Sequence, residues 1–157
     1  MTAPGLAGEP GDRAQAIVRR IADALGVGGE IVVEEREDEL VVALDDEDVG
    51  RFIGRHGQVI DAVQHLAYRA AFVDRRGERR VVVDAGGYRE RRADALRGQA
   101  DRAADDVART ERAVALPAMS AIERRLVHEY LRDRHDVETY SEGEEPDRHL
   151  VVAPTVD

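Results

Sequence analysis

The sequence has no cysteine, no tryptophan and no lysine, and no apolar run approaches the ~20 residues that a bilayer-spanning helix needs. Without cysteine there are no disulfide staples and no thiolate metal sites, which fits a reducing compartment. The N-terminus is too polar for a secretory signal. A cytoplasmic protein with no membrane insertion is therefore expected. Aromatic residues make up only 4% of the chain, so a core drawn from the 43% hydrophobic residues must be mostly Val, Leu, Ile and Ala. All 23 basic residues are Arg, beside abundant Ala, Val and Gly. That is the composition of a GC-rich coding bias, and the Arg count alone says little about phosphate binding. A net charge of -10 also argues against a simple polyanion binder.

The distribution of charge softens that objection. Residues 30–48 hold ten acids against Arg36, whereas residues 51–80 hold seven Arg against Asp61, Asp74 and Glu78, before His56 and His65 are counted. At 157 residues the chain suits one modest domain or two small ones. Residues 1–11, with Pro4, Gly5, Gly8, Pro10 and Gly11, read as a flexible leader. Asp12 can cap a helix whose apolar positions are Ala14, Ile17, Val18, Ile21, Ala22 and Leu25, stopped by Gly26. Glu30–Glu35 and Leu40–Leu44 are β-rich runs joined by a charged turn. After Gly57, the residues Val59, Ile60, Val63, Leu66, Ala67 and Ala70 repeat at helical spacing, Arg76-Gly77 makes a turn, and Arg79–Asp84 reads as a third strand.

Between the second strand and its helix lies Ile53-Gly54-Arg55-His56-Gly57-Gln58. Glycine permits backbone angles and close approaches that a Cβ would block. Amides and the dipole at a helix start favour an anion. A G-x-x-G loop with Arg55 and His56 at its tip fits a clamp on a sugar-phosphate backbone, and an ordinary glycine-rich turn shares the pattern. The order helix, two strands, G-x-x-G, helix, strand, together with this tip, resembles the bacterial (type II) K homology fold and its RNA-binding loop.

Gly86-Gly87 then breaks the chain, and a polar helix runs from about Tyr88 to Arg109 with Leu96, Ala100, Ala103, Ala104 and Val107 as its apolar stripe. No clean heptad passes through it, which favours a connector packing against one or both domains over a coiled coil. Val114–Leu116 reads as a short strand ended by Pro117, and Ser120-Ala121-Ile122-Glu123 as a capping box that starts a helix at Ala121. On that helix Met119, Ile122, Leu126 and Tyr130 fall on one side, the expected buried face. Arg124, Arg125, His128 and Arg132 gather on the other. Such a face is either an anion-binding surface or plain solvated charge. Val137–Ser141 and Arg148–Ala153 read as closing strands.

The second half resembles the R-x-x-x-H domain, a small module that binds single-stranded nucleic acid. Arg124 and His128 are its naming pair, and the match runs through Leu116-Pro117-Ala118-Met119, the stretch from Thr139 to Pro146, and Arg148. A K homology module followed by this one is similar to the Jag (SpoIIIJ-associated) family of bacterial RNA-binding proteins, over roughly residues 14–153. The connector Tyr88-Arg89-Glu90-Arg91-Arg92 is similar as well. The resemblance implies an α+β chain: a leader 1–11, a K homology domain 12–85, a connecting helix 86–112 and an R-x-x-x-H domain 113–155. It also implies a single-stranded RNA-binding protein, an RNA chaperone or post-transcriptional regulator linked to cell elongation and division. Single-stranded DNA is a second ligand of the same chemistry, and a small K homology protein the implied partner. Many family members begin with an extra domain and a charged linker; the sequence in hand starts without them, so their roles are not carried over.

By that resemblance Gly54 to Gly57 set amides against phosphates, Arg55 adds charge and His56 a hydrogen bond, flanked by Ile53 and Gln58. Arg124 and His128, with Arg125 and Arg148, hold a second stretch of strand. No His/acid spacing makes a metal site and no Ser or Cys sits in a nucleophile elbow. His128 beside Glu123 or Glu129 is the one acid–base combination, and a non-enzyme without cofactor is expected. The rival reading is a protein-interaction adaptor, docking a partner through the acidic hairpin or the long helix.

Overall fold

The computed structural model describes residues 8–73 and 79–156, which form two compact units divided between Arg89 and Glu90. The turn expected at Arg76-Gly77 and most of the expected leader lie outside the described residues. The fold is α+β, as the sequence suggested.

In the first unit, α1 (Pro10–Ala24), β1 (Glu30–Glu35), β2 (Glu39–Asp45), a single turn α2 (Gly50–Ile53), α3 (Gln58–Ala71) and β3 (Arg80–Ala85) follow in order. The strands lie β1-β2-β3, with β1 antiparallel and β3 parallel to β2. A parallel pair needs a crossover, and α2 with α3 supplies it. Alternation along β2 and β3 sends Leu40, Val42, Leu44, Val81 and Val83 beneath α1 and α3, where they meet Ala14, Val18, Ile60, Val63, Ala67 and Phe52. The start of α1 differs from the sequence reading. Glu9, not Asp12, is the N-cap; Asp12 sits at the third helical position and reciprocates in a capping box. Pro10 occupies the first turn, where its fixed φ suits a helix and its missing N–H costs nothing, so Pro10 and Gly11 belong to α1 and not to a leader.

The second unit holds most of α4 (Tyr88–Thr110), then β4 (Val114–Ala115), α5 (Ala121–Leu131), β5 (Val137–Glu142) and β6 (His149–Pro154), in an antiparallel sheet of order β4-β6-β5. Leu96, Ala100, Ala103, Ala104 and Val107 pack with Leu116, Met119, Val127, Leu131, Val137, Leu150 and Val152. That stripe makes α4 part of this unit's core, one of the two packings expected of the helix. Among the described residues no helix is long and apolar enough to cross a membrane.

The buried face of α5 also departs from expectation. Glu123, Arg124, Val127 and Leu131 point inward, while Ile122 is 60% and Tyr130 42% exposed. Two charged side chains can be buried there because both are hydrogen-bonded. Glu123 closes the capping box with Ser120 and takes Arg92 in a two-pronged pair at 2.7 and 3.3 Å. Glu123→Ala removes both contacts, and the expected outcome is a loss of about 2 kcal/mol in urea denaturation of the second unit.

Candidate nucleic-acid interface

The G-x-x-G tip is built by backbone geometry. The Gly54 amide donates to Gly50 O at 2.9 Å and the Gly57 amide to Gly54 O at 3.3 Å, drawing the loop into a tight turn. Gly54 has φ 73° and ψ 179°, and a Cβ there would stand 2.4 Å from Val59 Cγ2. Gly57 is left-handed at φ 74°, and a Cβ would stand 2.8 Å from Tyr88 Oη. Gly54 therefore requires glycine, and a Cβ at Gly57 would have to displace the Tyr88 ring. His56 between them is also left-handed, at φ 55°. Arg55 is exposed, with its Nε 3.4 Å from His56 Nε2, so the two basic side chains stand together. Ile53 is half-buried and packs on the core edge, and Gln58 is exposed at the start of α3. The Gln58 amide donates to Arg55 O, so this first α3 amide serves the turn.

Arg89 fixes the floor of this unit. Its Nε donates to Val83 O at 2.8 Å, its guanidinium meets Asp61 at 2.9 Å and Gln64 Oε1 at 3.0 Å, and Gln64 Oε1 also accepts the Val83 amide at 3.0 Å. The helix after the loop is thereby tied to β3. In the sequence Arg89 was one of several Arg in a polar helix, and nothing local distinguished it.

In the second unit an open pocket of about 410 Å³ is lined by Arg124, Arg125, His128 and Arg148 together with Thr139, Tyr140 and Ser141. All four residues expected from the sequence converge on it. Arg132 does not: it follows the last turn of α5, with Nη2 4.0 Å from Glu129. Arg124 is only 8% exposed, its Nη1 donating to Met119 O at 2.6 Å and its Nη2 meeting Glu145 at 2.9 Å. It is a held cation in the pocket wall rather than a mobile surface charge. His128 Nδ1 is hydrogen-bonded to Thr139 Oγ1, and Arg148 Nη1 donates to Gly143 O at 2.7 Å. Arg125 is the exposed member, paired along the helix with Glu129 at 2.9 Å, and its guanidinium holds the Glu129 carboxyl below the usual carboxylate range.

The sequence reading assigned no site role to Thr139, Tyr140 or Ser141. The strand alternation of β5 could have paired Thr139 and Ser141 on one face, but only the fold sets that face against α5. Tyr140 is 48% exposed and offers an aromatic surface beside the cations. Of the residues expected on the inner side of α5, Met119 is in the core and Leu126 packs against it, whereas Ile122 and Tyr130 are exposed; Leu126, Ile122 and Tyr130 line an open groove of about 450 Å³ with Arg97, Arg125 and Glu129. Asp101 accepts the Tyr130 hydroxyl at 3.0 Å and holds its proton, raising the phenol above its ordinary pKa. Among the described residues no group of three or more His, Asp or Glu is placed to hold a metal ion.

Residues 12–84 match the family described as KhpA/KhpB, KH domain, and residues 94–154 match the R-x-x-x-H domain family. The chain is thus a two-domain protein, K homology followed by R-x-x-x-H, and the second match begins inside α4, where that unit's core begins. It is 37% identical over 144 residues to RNA-binding protein KhpB of Clostridium symbiosum, covering 90% of this chain and 65% of that protein. It is 30% identical over 147 residues to RNA-binding protein KhpB of Bacillus subtilis, covering 92% and 71%. The counterpart in Lactiplantibacillus plantarum is 36% identical over 135 residues, 85% of this chain but 41% of that protein. The chain belongs to the KhpB family, the Jag family of the sequence comparison, and spans between two fifths and three quarters of the length of these relatives.

Proposed function

We propose that this chain binds single-stranded RNA at two sites, the Gly54–Gly57 loop and the Arg124/Arg125/His128/Arg148 pocket, as a cytoplasmic, non-catalytic RNA chaperone or post-transcriptional regulator. The convergence of four basic or titratable side chains on one open pocket carries this reading. Two nearby carboxylates, Glu129 and Glu145, hold Arg125 and Arg124 in place. A phosphate would compete with them for the guanidinium edges that face the pocket, since Arg forks onto phosphate in the way it forks onto carboxylate. In the first unit, the glycines let a sugar-phosphate backbone approach the main chain while Arg55 and His56 supply charge and a donor. With Tyr140 as the aromatic surface in the pocket, stacking is a small part of the binding energy and the phosphate contacts dominate. Two weak sites on one chain gain by effective concentration. The joint KhpA/KhpB description of the first domain supports a small K homology protein as a partner.

The test is fluorescence-anisotropy binding of a pooled single-stranded RNA. With about four phosphates neutralised, log Kobs should fall with log salt at a slope of about -3, so binding weakens roughly 50-fold between about 50 and about 200 mM salt. Arg55→Asp/His56→Asp and, separately, Arg125→Glu should each weaken binding by about tenfold, because each puts negative charge where a phosphate would lie. Unchanged affinity in both folded variants would reject these sites and leave the adaptor reading. A DNA pool of the same sequences, bound equally well, would widen the ligand to any single strand.

A further inference from the structure

Neither proposed RNA site uses the acidic hairpin, and α1 and α3 pack on the face of its sheet that carries Leu40, Val42 and Leu44. Strand alternation that buries Leu40, Val42 and Leu44 turns Val41 and Ala43 the other way. The register sets Ala43 opposite Val32 and Val41 opposite Val82, so a row of aliphatic side chains crosses all three strands. Val32 is 53% exposed, and Val41, Ala43 and Val82 are half-buried. The same parity places Glu30, Glu34, Glu39, Asp45 and Asp84 around that row, against Arg80 on β3. At the turn end Arg36 bridges Glu34 and Glu39 at 2.8 and 2.7 Å. At the other end Glu30 stands directly opposite Asp45. Like charges facing one another across strands destabilise a sheet, and a cation laid over them would reverse that.

Charges on β1 guard an open sheet edge against pairing. That does not account for Asp45 on the central strand, nor for the aliphatic row beside it. The carboxylates exclude RNA from this face, and two copies of the chain laid face to face would set carboxylate on carboxylate. We propose that this face docks a basic amphipathic segment of another protein, with its apolar side chains on Val32, Val41, Ala43 and Val82 and its Lys or Arg groups over Glu30 and Asp45. A row of this size makes a weak, transient contact, below about 1,000 Å² of buried surface.

The test uses the full ¹⁵N-labelled chain and two synthetic peptides of equal Lys and Val content, one alternating and amphipathic, the other with Lys and Val in separate blocks. The alternating peptide should bind more tightly and shift amides of β1, β2 and β3 on this face. Glu30→Lys/Asp45→Lys and Val32→Asp, each checked for folding, should each weaken it about tenfold. Arg55→Asp/His56→Asp should leave peptide binding unchanged. Equal binding of both peptides, shifts spread over acidic surfaces such as α4, or indifference to the variants would overturn the proposal. So would RNA-induced shifts on this face, or concentration-dependent self-association abolished by Val32→Asp; these name RNA or a second copy as the occupant.

Discussion

Gly54→Ala is expected to destabilise the first unit by about 3 kcal/mol and to abolish binding at the loop, because it combines backbone strain with overpacking. The backbone at Gly54, φ 73° and ψ 179°, lies in a region that only glycine occupies without cost. The added methyl would also meet Val59 Cγ2 at 2.4 Å and Val59 Cβ at 2.9 Å. Val59 packs against the core, so it has little room to retreat. The loop must open, and with it the turn that presents Arg55 and His56. Gly98→Ala is the control: it lies in α4 with its nearest neighbour, Arg102 Nη1, at 3.4 Å, and should stabilise by up to about 1 kcal/mol. Urea denaturation followed by amide signals of each unit separates the two effects.

Arg124→Ala should behave unlike Arg125→Ala, although both residues belong to the same pocket. Arg124 is buried and donates inward to Met119 O as well as to Glu145. Its removal leaves a cavity and a carbonyl without its donor, at an expected cost of about 2 to 3 kcal/mol. Glu145 is largely exposed and rehydrates, which keeps the loss below that of breaking a fully buried ion pair. Arg125, with a side chain 80% exposed, should change stability by less than about 0.5 kcal/mol on truncation while still weakening RNA. Equal stability losses for the two variants, measured in urea, would contradict this division between a wall residue and a contact residue.

Much of the fold was legible because local pattern and burial agree. Leu40, Val42 and Leu44 alternate as a half-buried strand should, and Ser120 with Glu123 marks the start of α5 before any contact is known. The two glycines of the loop announced a tight turn, and the structure adds the reason: Val59 leaves no room for a Cβ at Gly54, and the Tyr88 hydroxyl lies against Gly57. What stayed hidden depends on partners distant in the chain. A helical wheel places apolar residues inward, yet α5 buries Glu123 and Arg124, because Arg92 and Glu145 reach them from 31 and 21 residues away. Ile122 and Tyr130 are then left outside. The apolar stripe of α4 was readable, but which core it joins was not, since Leu116, Met119 and Leu150 meet it only in the fold. The four expected residues of the pocket were readable one by one; that Thr139, Tyr140 and Ser141 join them was not, since only the fold brings β5 beside α5.

The most direct test of binding at two sites is an amide NMR footprint of the ¹⁵N-labelled chain titrated with a single-stranded RNA. Shifts are expected at Gly54 to Gly57 and at residues lining the pocket, among them Arg125, Thr139 and Ser141, with none at Glu30 to Glu35. Shifts absent from either the loop or the pocket, or centred on the acidic hairpin, would contradict binding at two sites.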